Sequence, residues 1–331
     1  MHMADALLSP AVGTAMWGVT AGAIALSSRK VSRVLDDRKI PLMGVMGAFV
    51  FAVQMINFAI PGTGSSGHLG GGLLLAILLG PHAAFLTMAS VLIVQALFFA
   101  DGGLLALGCN VFNLGIFPCF IAYPYIYRRL IGRNLLARWR IILAAVIAAV
   151  VGLQLGSFAV VLQTVLSGVA GLTLPAFSLL MQPIHLAIGL VEGLATATVV
   201  IFMSAARPDI LDGMQSEADR QSRSMRGLIM ALLAVTIMVG GFLAWFASTN
   251  PDGLEWALHK AGVGELQSTS NVHQSLEAVQ EKAAPLPDYD LPDGAGSKIG
   301  KSVSGLVGSG LVLLVAGGLV FLLRYRRRNC S

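Results

Sequence analysis

"LGGGLLLAILLGPHAAFLTMASVLIVQALFFA" (residues 69–100) contains no lysine, arginine, aspartate or glutamate. A helix rises about 1.5 Å per residue and a hydrocarbon core is about 30 Å thick, so this run is too long for one upright crossing and short for two. It is either one bent helix or a hairpin broken at Pro81, and the basic residues decide between them. Lysine and arginine concentrate in 28–40, 128–140, 204–226 and the C-terminal "RYRRRNCS", with further lysines scattered between 248 and 301. The short loops near 61–70, 100–103 and 165–177 have none. Placing the four clusters in the cytoplasm requires an even number of crossings between the first two, so 69–100 must cross twice. The third helix then spans about 70–80 and the fourth about 83–99. The third is too short to span alone and must be surrounded by protein rather than lipid.

Working outward, apolar stretches near 11–27, 42–60, 104–127, 141–164, 178–203, 227–247 and 303–323 supply the other spans. A composition of 56% hydrophobic and 12% charged residues over 331 residues fits this class and excludes an ordinary soluble domain. The expectation is an all-α polytopic membrane protein with nine transmembrane helices, the N-terminus outside and the C-terminus cytoplasmic. It divides into a seven-helix block (1–206), a polar cytoplasmic linker (207–226) and a two-helix block (227–331) carrying an extracytoplasmic segment (248–301). That segment holds eight acidic residues against four lysines, a surplus that would concentrate cations locally or simply keep a loop solvated. The head of the first helix carries Asp5 and no basic residue, unlike a secretory signal, so residue 1 is expected to persist. Cys109, Cys119 and Cys330 suggest no disulfide framework. The glycine pairs Gly18/Gly22, Gly152/Gly156 and Gly189/Gly193 have the spacing of close helix contacts.

The chemistry concentrates at the start, "MHMADALLSP". The free amine of Met1, the amide nitrogen of His2 and its Nδ1 can close a five- and a six-membered chelate ring around one ion, nearly in a plane. His68, in the loop "PGTGSSGHLGGG" on the same side of the membrane, can supply a fourth nitrogen. A square-planar nitrogen set selects Ni(II) or Cu(II) over Zn(II) or Mg(II). The bland alternatives are an accidental terminal histidine and a solvated loop histidine, and they predict that His2→Ala and His68→Ala leave metal binding untouched. Glu192 and His185 fall within a predicted span, where ionisable groups are costly and either functional or internally hydrogen-bonded. Asp101, Asn110, Asn113, Gln95 and Gln154 could orient a ligand or pack helices, and His82 is expected near the opposite surface. "GAGSKIGKS" mimics a phosphate loop, but Ala295 stands where the first glycine is required, so no ATP site is expected. Neither an HExxH pair nor a Ser-His-Asp spacing is present, and no catalytic residue or bound cofactor is expected.

These residues resemble the substrate-capture component of energy-coupling-factor transporters for nickel and cobalt, the NikM/CbiM family. "MHMADALLSP" is similar to that family's "MHIPDGYLSP", and the block from "GTGSSGHLGGG" to "GCNVFNLG" is similar to its central region. Ala4 and Ala6 replace the pattern's proline and glycine. The linker, the last two helices and "NPDGLEWAL…PLPDYDLP" resemble the companion NikN/CbiN, here fused. The resemblance implies that Met1, His2 and His68 hold Ni2+ or Co2+ as transported ligand. It also implies a transmembrane coupling protein and two cytoplasmic ATPases as partners, with the chain in a bacterial or archaeal cell membrane and no nucleic acid involved. A self-sufficient secondary metal permease is the rival reading, and it calls for more ionisable residues within the spans.

Overall fold

The computed structural model describes residues 2–34, 39–132, 137–169, 171–206, 225–264, 270–291 and 297–329. Met1, the 207–224 part of the expected linker, Glu265, Asp293, Ala295 and Cys330 lie outside them. Among the described residues, seven helical segments are long and apolar enough to cross a membrane: Pro10–Arg33, Pro81–Phe99, Leu107–Ile131, Arg138–Ser167, Leu174–Ala206, Met225–Phe246 and Lys298–Leu319. The protein is therefore an all-α polytopic membrane protein, and helix length by itself accounts for seven of the nine expected crossings. The other two segments are α2 (Lys39–Gln54) and α3 (Gly72–Leu79), both shorter than a full span.

Between α2 and α3 the chain departs from the sequence expectation. The 42–60 stretch does not remain helical to its end, because α2 stops at Gln54 and a two-stranded hairpin follows, β1 (Phe58–Ile60) against β2 (Ser65–Gly67). The pairing is antiparallel, Phe58 opposite Gly67 and Ile60 opposite Ser65. Its turn contains Gly62 at φ 76° and Gly64 at φ 74°, a region that glycine enters without steric cost. The helical reading fails here because an apolar run carries no information about where the chain must reverse.

Every residue of α3 is buried, and α2, α4 (Pro81–Phe99), the Phe112–Tyr127 segment, α7 (Arg138–Ser167) and α8 (Leu174–Ala206) all pack against it. The short third helix is thus wrapped by protein, which is the condition under which its non-helical flanks are tolerable at membrane depth. Gly80, at φ 83°, separates α3 from α4, and Pro81 opens α4 at a position where its missing N–H costs nothing. The next crossing starts as α5 (Leu107–Val111), widens to a π-helix over Phe112–Tyr127 and ends as α6 (Arg128–Ile131). Pro118 and Pro124 lie inside the wide part, where each removes a donor and crowds the preceding turn.

Helices α9 (Met225–Gly241) and α12 (Lys298–Asn329) both pack on α2, and their backbones approach each other where Gly240 meets Gly305. Between them runs a bridging segment with α10 (Gly253–Lys260) and α11 (Asn271–Ala283). Asp252 caps α10 by accepting from Leu254 N and Glu255 N, while Glu255 reaches back to the Asp252 N–H. Among the described cysteines, Cys109 and Cys119 are free and buried. Of the glycine pairs, Gly189 and Gly193 meet the Val150 and Val146 backbone of α7, whereas an added Cβ at Gly18 or Gly22 would meet nothing within 4 Å.

This contrast sets a test. Gly189→Ala and Gly193→Ala push α7 and α8 apart and each lower stability by about 1–3 kcal/mol, the usual cost of overpacking. Gly18→Ala and Gly22→Ala leave the thermal midpoint in detergent unchanged or raise it, since alanine suits a helix better than glycine.

Candidate metal site

Residues 2–9 enter the bundle as an extended strand and a single 3-10 turn, and three side chains hold them there. Asn110, on α5, accepts from Met3 N at 2.8 Å and donates to Met3 O at 3.2 Å. Gly103 N donates to the same carbonyl at 2.9 Å. The buried Asp5 carboxylate accepts from Ala106 N at 2.8 Å and rests on Gly103, where any side chain would run into it. His273, on α11, completes the set with Nε2 placed 3.0 Å from Leu8 O. The Met3 side chain is wholly buried, so the start of the chain is part of the core rather than a fraying end.

His68 is delivered from the other direction by β2. Behind it, Glu192 of α8 accepts from Gly70 N at 2.7 Å and Gly71 N at 3.2 Å, while Gln54 donates to Gly70 O at 2.7 Å and takes a bond from Gln95. Glu192 is therefore the buried, internally bonded carboxylate of the two readings the sequence allowed, and its partners are the loop that carries His68. His185 sits on the same helix with Nδ1 2.8 Å from Met181 O. His82, at the far end of α4, contacts Ser27 and Phe120 away from this region.

The two histidines meet. Their rings stack with centroids 5.1 Å apart and planes 15° from parallel. With metal–nitrogen bonds of about 2 Å, two imidazoles on one ion have centres no more than roughly 6 Å apart, so the observed spacing suits a shared ion. His68 Nδ1 lies 3.1 Å from Leu69 O. A carbonyl can only accept, so Nδ1 carries the ring proton and Nε2 presents its lone pair, the arrangement usual for a metal-ligating histidine. Nε2 of both His2 and His68 is buried without a protein hydrogen-bond partner. Burial holds both rings below the usual imidazole range, His68 at about 3, with the neighbouring His2 adding to the effect. Both are accordingly neutral and able to ligate at pH 7. Among the described residues, no group of three or more His, Cys, Asp or Glu side chains is placed to hold a metal.

Asp101 follows Ala100, which ends α4 at φ 54° and turns the chain back toward the N-terminus. Its Oδ1 is 3.4 Å from His2 Nδ1, and its Oδ2 accepts from the Tyr289 hydroxyl. Of the residues the sequence suggested as orienting groups, Asp101 and Asn110 touch the site, Gln95 supports it through Gln54, Asn113 pairs with Gln163, and Gln154 bonds Gln182 elsewhere. Asp5, Tyr289 and Asp252 were not singled out as site residues, and only the pattern around Asp5 gave a hint. An open cavity of about 1210 Å³ reaches both histidines between the two blocks, with Asp5, Asp101, Asp252, Glu255, Glu277 and Asp288 on its walls.

Comparison with known proteins places these features in a family. Residues 2–210 match the family described as cobalt uptake substrate-specific transmembrane region, CbiM, and residues 226–325 match the PDGLE domain. A candidate fused nickel transport protein NikMN of Archaeoglobus fulgidus is 34% identical over 99% of both chains. The cobalt transport protein CbiM of Sorangium cellulosum is 34% identical over 65% of this chain and 96% of its own length. The crystal structure of a truncated transition metal transporter is similar at a TM-score of 0.55 and 31% identity, covering 62% of this chain and 99% of that one.

Two outcomes are expected from the geometry. In metal-free protein the His68 ring stays neutral from pH 7 down to pH 5, seen as unmoving ring resonances by NMR of histidine-labelled protein in micelles. Because the unfolded chain takes up a proton near the ordinary pKa of 6.5 and the folded ring refuses it, stability falls as pH drops below that value, by up to about 1.4 kcal/mol per unit for each such ring. Asn110→Ala strands the Met3 N–H, while Met3 O keeps the Gly103 N–H, and lowers stability by about 2 kcal/mol, read as a lower thermal midpoint.

Proposed function

The chain belongs to the CbiM family of cobalt uptake substrate-specific transmembrane proteins, joined to a PDGLE domain, and from that premise we propose that it captures Ni2+ for import across a cell membrane. The metal is cargo, held by the amine of Met1, the backbone nitrogen and Nδ1 of His2, and an imidazole nitrogen of His68. The observation that carries this reading is the convergence of two neutral, stacked imidazoles, with Nε2 of His68 enclosed and unpartnered. In this reading the backbone at the chain start supplies the donors that the two imidazoles leave to be filled. Closing the six-membered ring requires the ion to displace any proton on His2 Nδ1, and the adjacent Asp101 charge favours a divalent cation in that exchange.

A planar set that includes a backbone amide nitrogen suits a d8 ion, which favours nickel; Co2+ is the alternative cargo. The chain acts as the capture component of an energy-coupling-factor importer. Hydrolysis is assigned to two cytoplasmic ATPases, and a separate transmembrane protein couples them to this one. The metal enters from outside, where the N-terminus and residues 248–301 face, and the basic C-terminal tail lies in the cytoplasm. The carboxylates around the cavity would raise the cation concentration at its mouth.

The test is a titration of the purified full chain with Ni2+ and Co2+, repeated with one residue added ahead of Met1 and with His68→Ala. Each change lowers Ni2+ affinity by at least about 100-fold, roughly 2.7 kcal/mol. An extended chain that binds as tightly as the original contradicts the chelate.

A further inference from the structure

The bridging segment does more than cover the cavity, because it touches the hairpin that leads to His68 and the end of α4 that leads to Asp101. Ser66 in β2 donates its N–H to Pro251 O at 2.8 Å and its hydroxyl to Asn250 O at 2.8 Å, and it forms an isolated parallel bridge with Asp252. Trp256 Nε1 donates to Thr63 O in the hairpin turn. On the other side, Gln280 donates to Ala96 O and Gly102 O, and Leu286 N donates to Phe98 O. Those contacts bracket Asp101.

Tyr289 is the residue that reaches furthest. Its ring stacks on Phe99 at 4.8 Å and 14° and leans against Phe51 at 6.1 Å. Asp288 and Tyr289 both adopt left-handed backbone, at φ 51° and φ 60°. Residues other than glycine keep such a conformation only where their surroundings fix it, and consecutive cases gather at functional sites. The strained turn aims the phenol at Asp101, where its hydroxyl donates to Oδ2 and leaves Oδ1 for His2. The two carboxylate oxygens thus have separate partners, and in the metal-free chain a carboxylate so held keeps the imidazole from rotating and its own charge beside Nδ1.

We propose that Tyr289 is a positioning residue of the metal site: by donating to Asp101 it fixes the carboxylate beside His2 Nδ1, so that the ring is held ready and a negative charge stands next to the nitrogen on which the ion replaces the proton, and the PDGLE domain contributes to cargo binding through one hydroxyl. This rests on the reading of His2 and His68 as ligands. Removing a partner of a ligating histidine typically costs roughly 10- to 100-fold in metal affinity. Phenylalanine keeps the ring contacts with Phe99 and Phe51 and deletes only the hydroxyl.

The experiment is a cycle of Tyr289→Phe, Asp101→Ala and the double variant in the full chain, titrated with Ni2+ and followed by the visible d–d band of the bound ion. Tyr289→Phe is expected to weaken Ni2+ binding about ten-fold, with the metal-free thermal midpoint close to wild type. In the Asp101→Ala background the same substitution adds nothing, because its effect runs through that carboxylate. The d–d band of the Tyr289→Phe complex moves to longer wavelength, as an in-plane nitrogen is held less firmly. Wild-type affinity in Tyr289→Phe, an equal loss in both backgrounds, or an unmoved band overturns the inference. The His68→Ala control separates the two levels. If it abolishes binding while Tyr289→Phe does not weaken it, only the role of Tyr289 fails; a wild-type chain that binds no Ni2+ overturns the site itself.

Discussion

The bidentate grip of Asn110 on Met3 is the constraint from which the site follows. Chain ends ordinarily fray because they have few contacts to repay the entropy of ordering. Here both polar groups of one backbone unit are read by a single side chain in the buried α5 helix, and the Met3 side chain fills the core beneath. Asp5 and Gly103 repeat the device two residues later, with the carboxylate occupying the space that a side chain would take. His2 has little freedom once its neighbour is fixed in this way. Its ring must lie over the end of α4, where His68 and Asp101 are waiting.

His68 is fixed by a different economy. Its loop emerges from a short hairpin and runs into α3, whose first backbone N–H groups would be stranded in a buried setting. Glu192 satisfies two of the loop's N–H groups from a helix far along the chain. Placing a carboxylate there costs desolvation, and the two bonds offset part of it. The buried α3 and the Glu192 side of α8 thereby become the floor on which the His68 loop stands.

Much of this was legible in the residues. The break at Pro81 and the all-helical membrane architecture come from local features: an apolar run, a proline and clusters of arginine. The approach of His2 to His68 was expected from their context, whereas its stacked geometry is a product of the folded chain. The hairpin at 58–67 was hidden because an apolar stretch such as "FAVQMINFAI" reads equally well as helix. The tie between Tyr289 and Asp101 was hidden for a deeper reason. Periodicity reports which face of an element is buried, whereas the identity of a partner some two hundred positions away leaves no local trace. Gly18 and Gly22 show the converse limit, since their spacing promises a close helix contact that the described residues do not supply.

The parallel bridge between Ser66 and Asp252 has a consequence for assembly. It is a miniature case of strand addition, in which a passing segment pairs with the backbone of β2. Two separate polypeptides would have to find each other to make so slight a contact, and its few hydrogen bonds would barely offset the lost freedom of motion. Joined in one chain, the partners face each other at an effective concentration of the order of millimolar, which is enough for a weak junction to stay formed. Covalent fusion thus adds to the packing of α9 and α12 on α2, and keeps the roof of the cavity beside the hairpin with which it pairs.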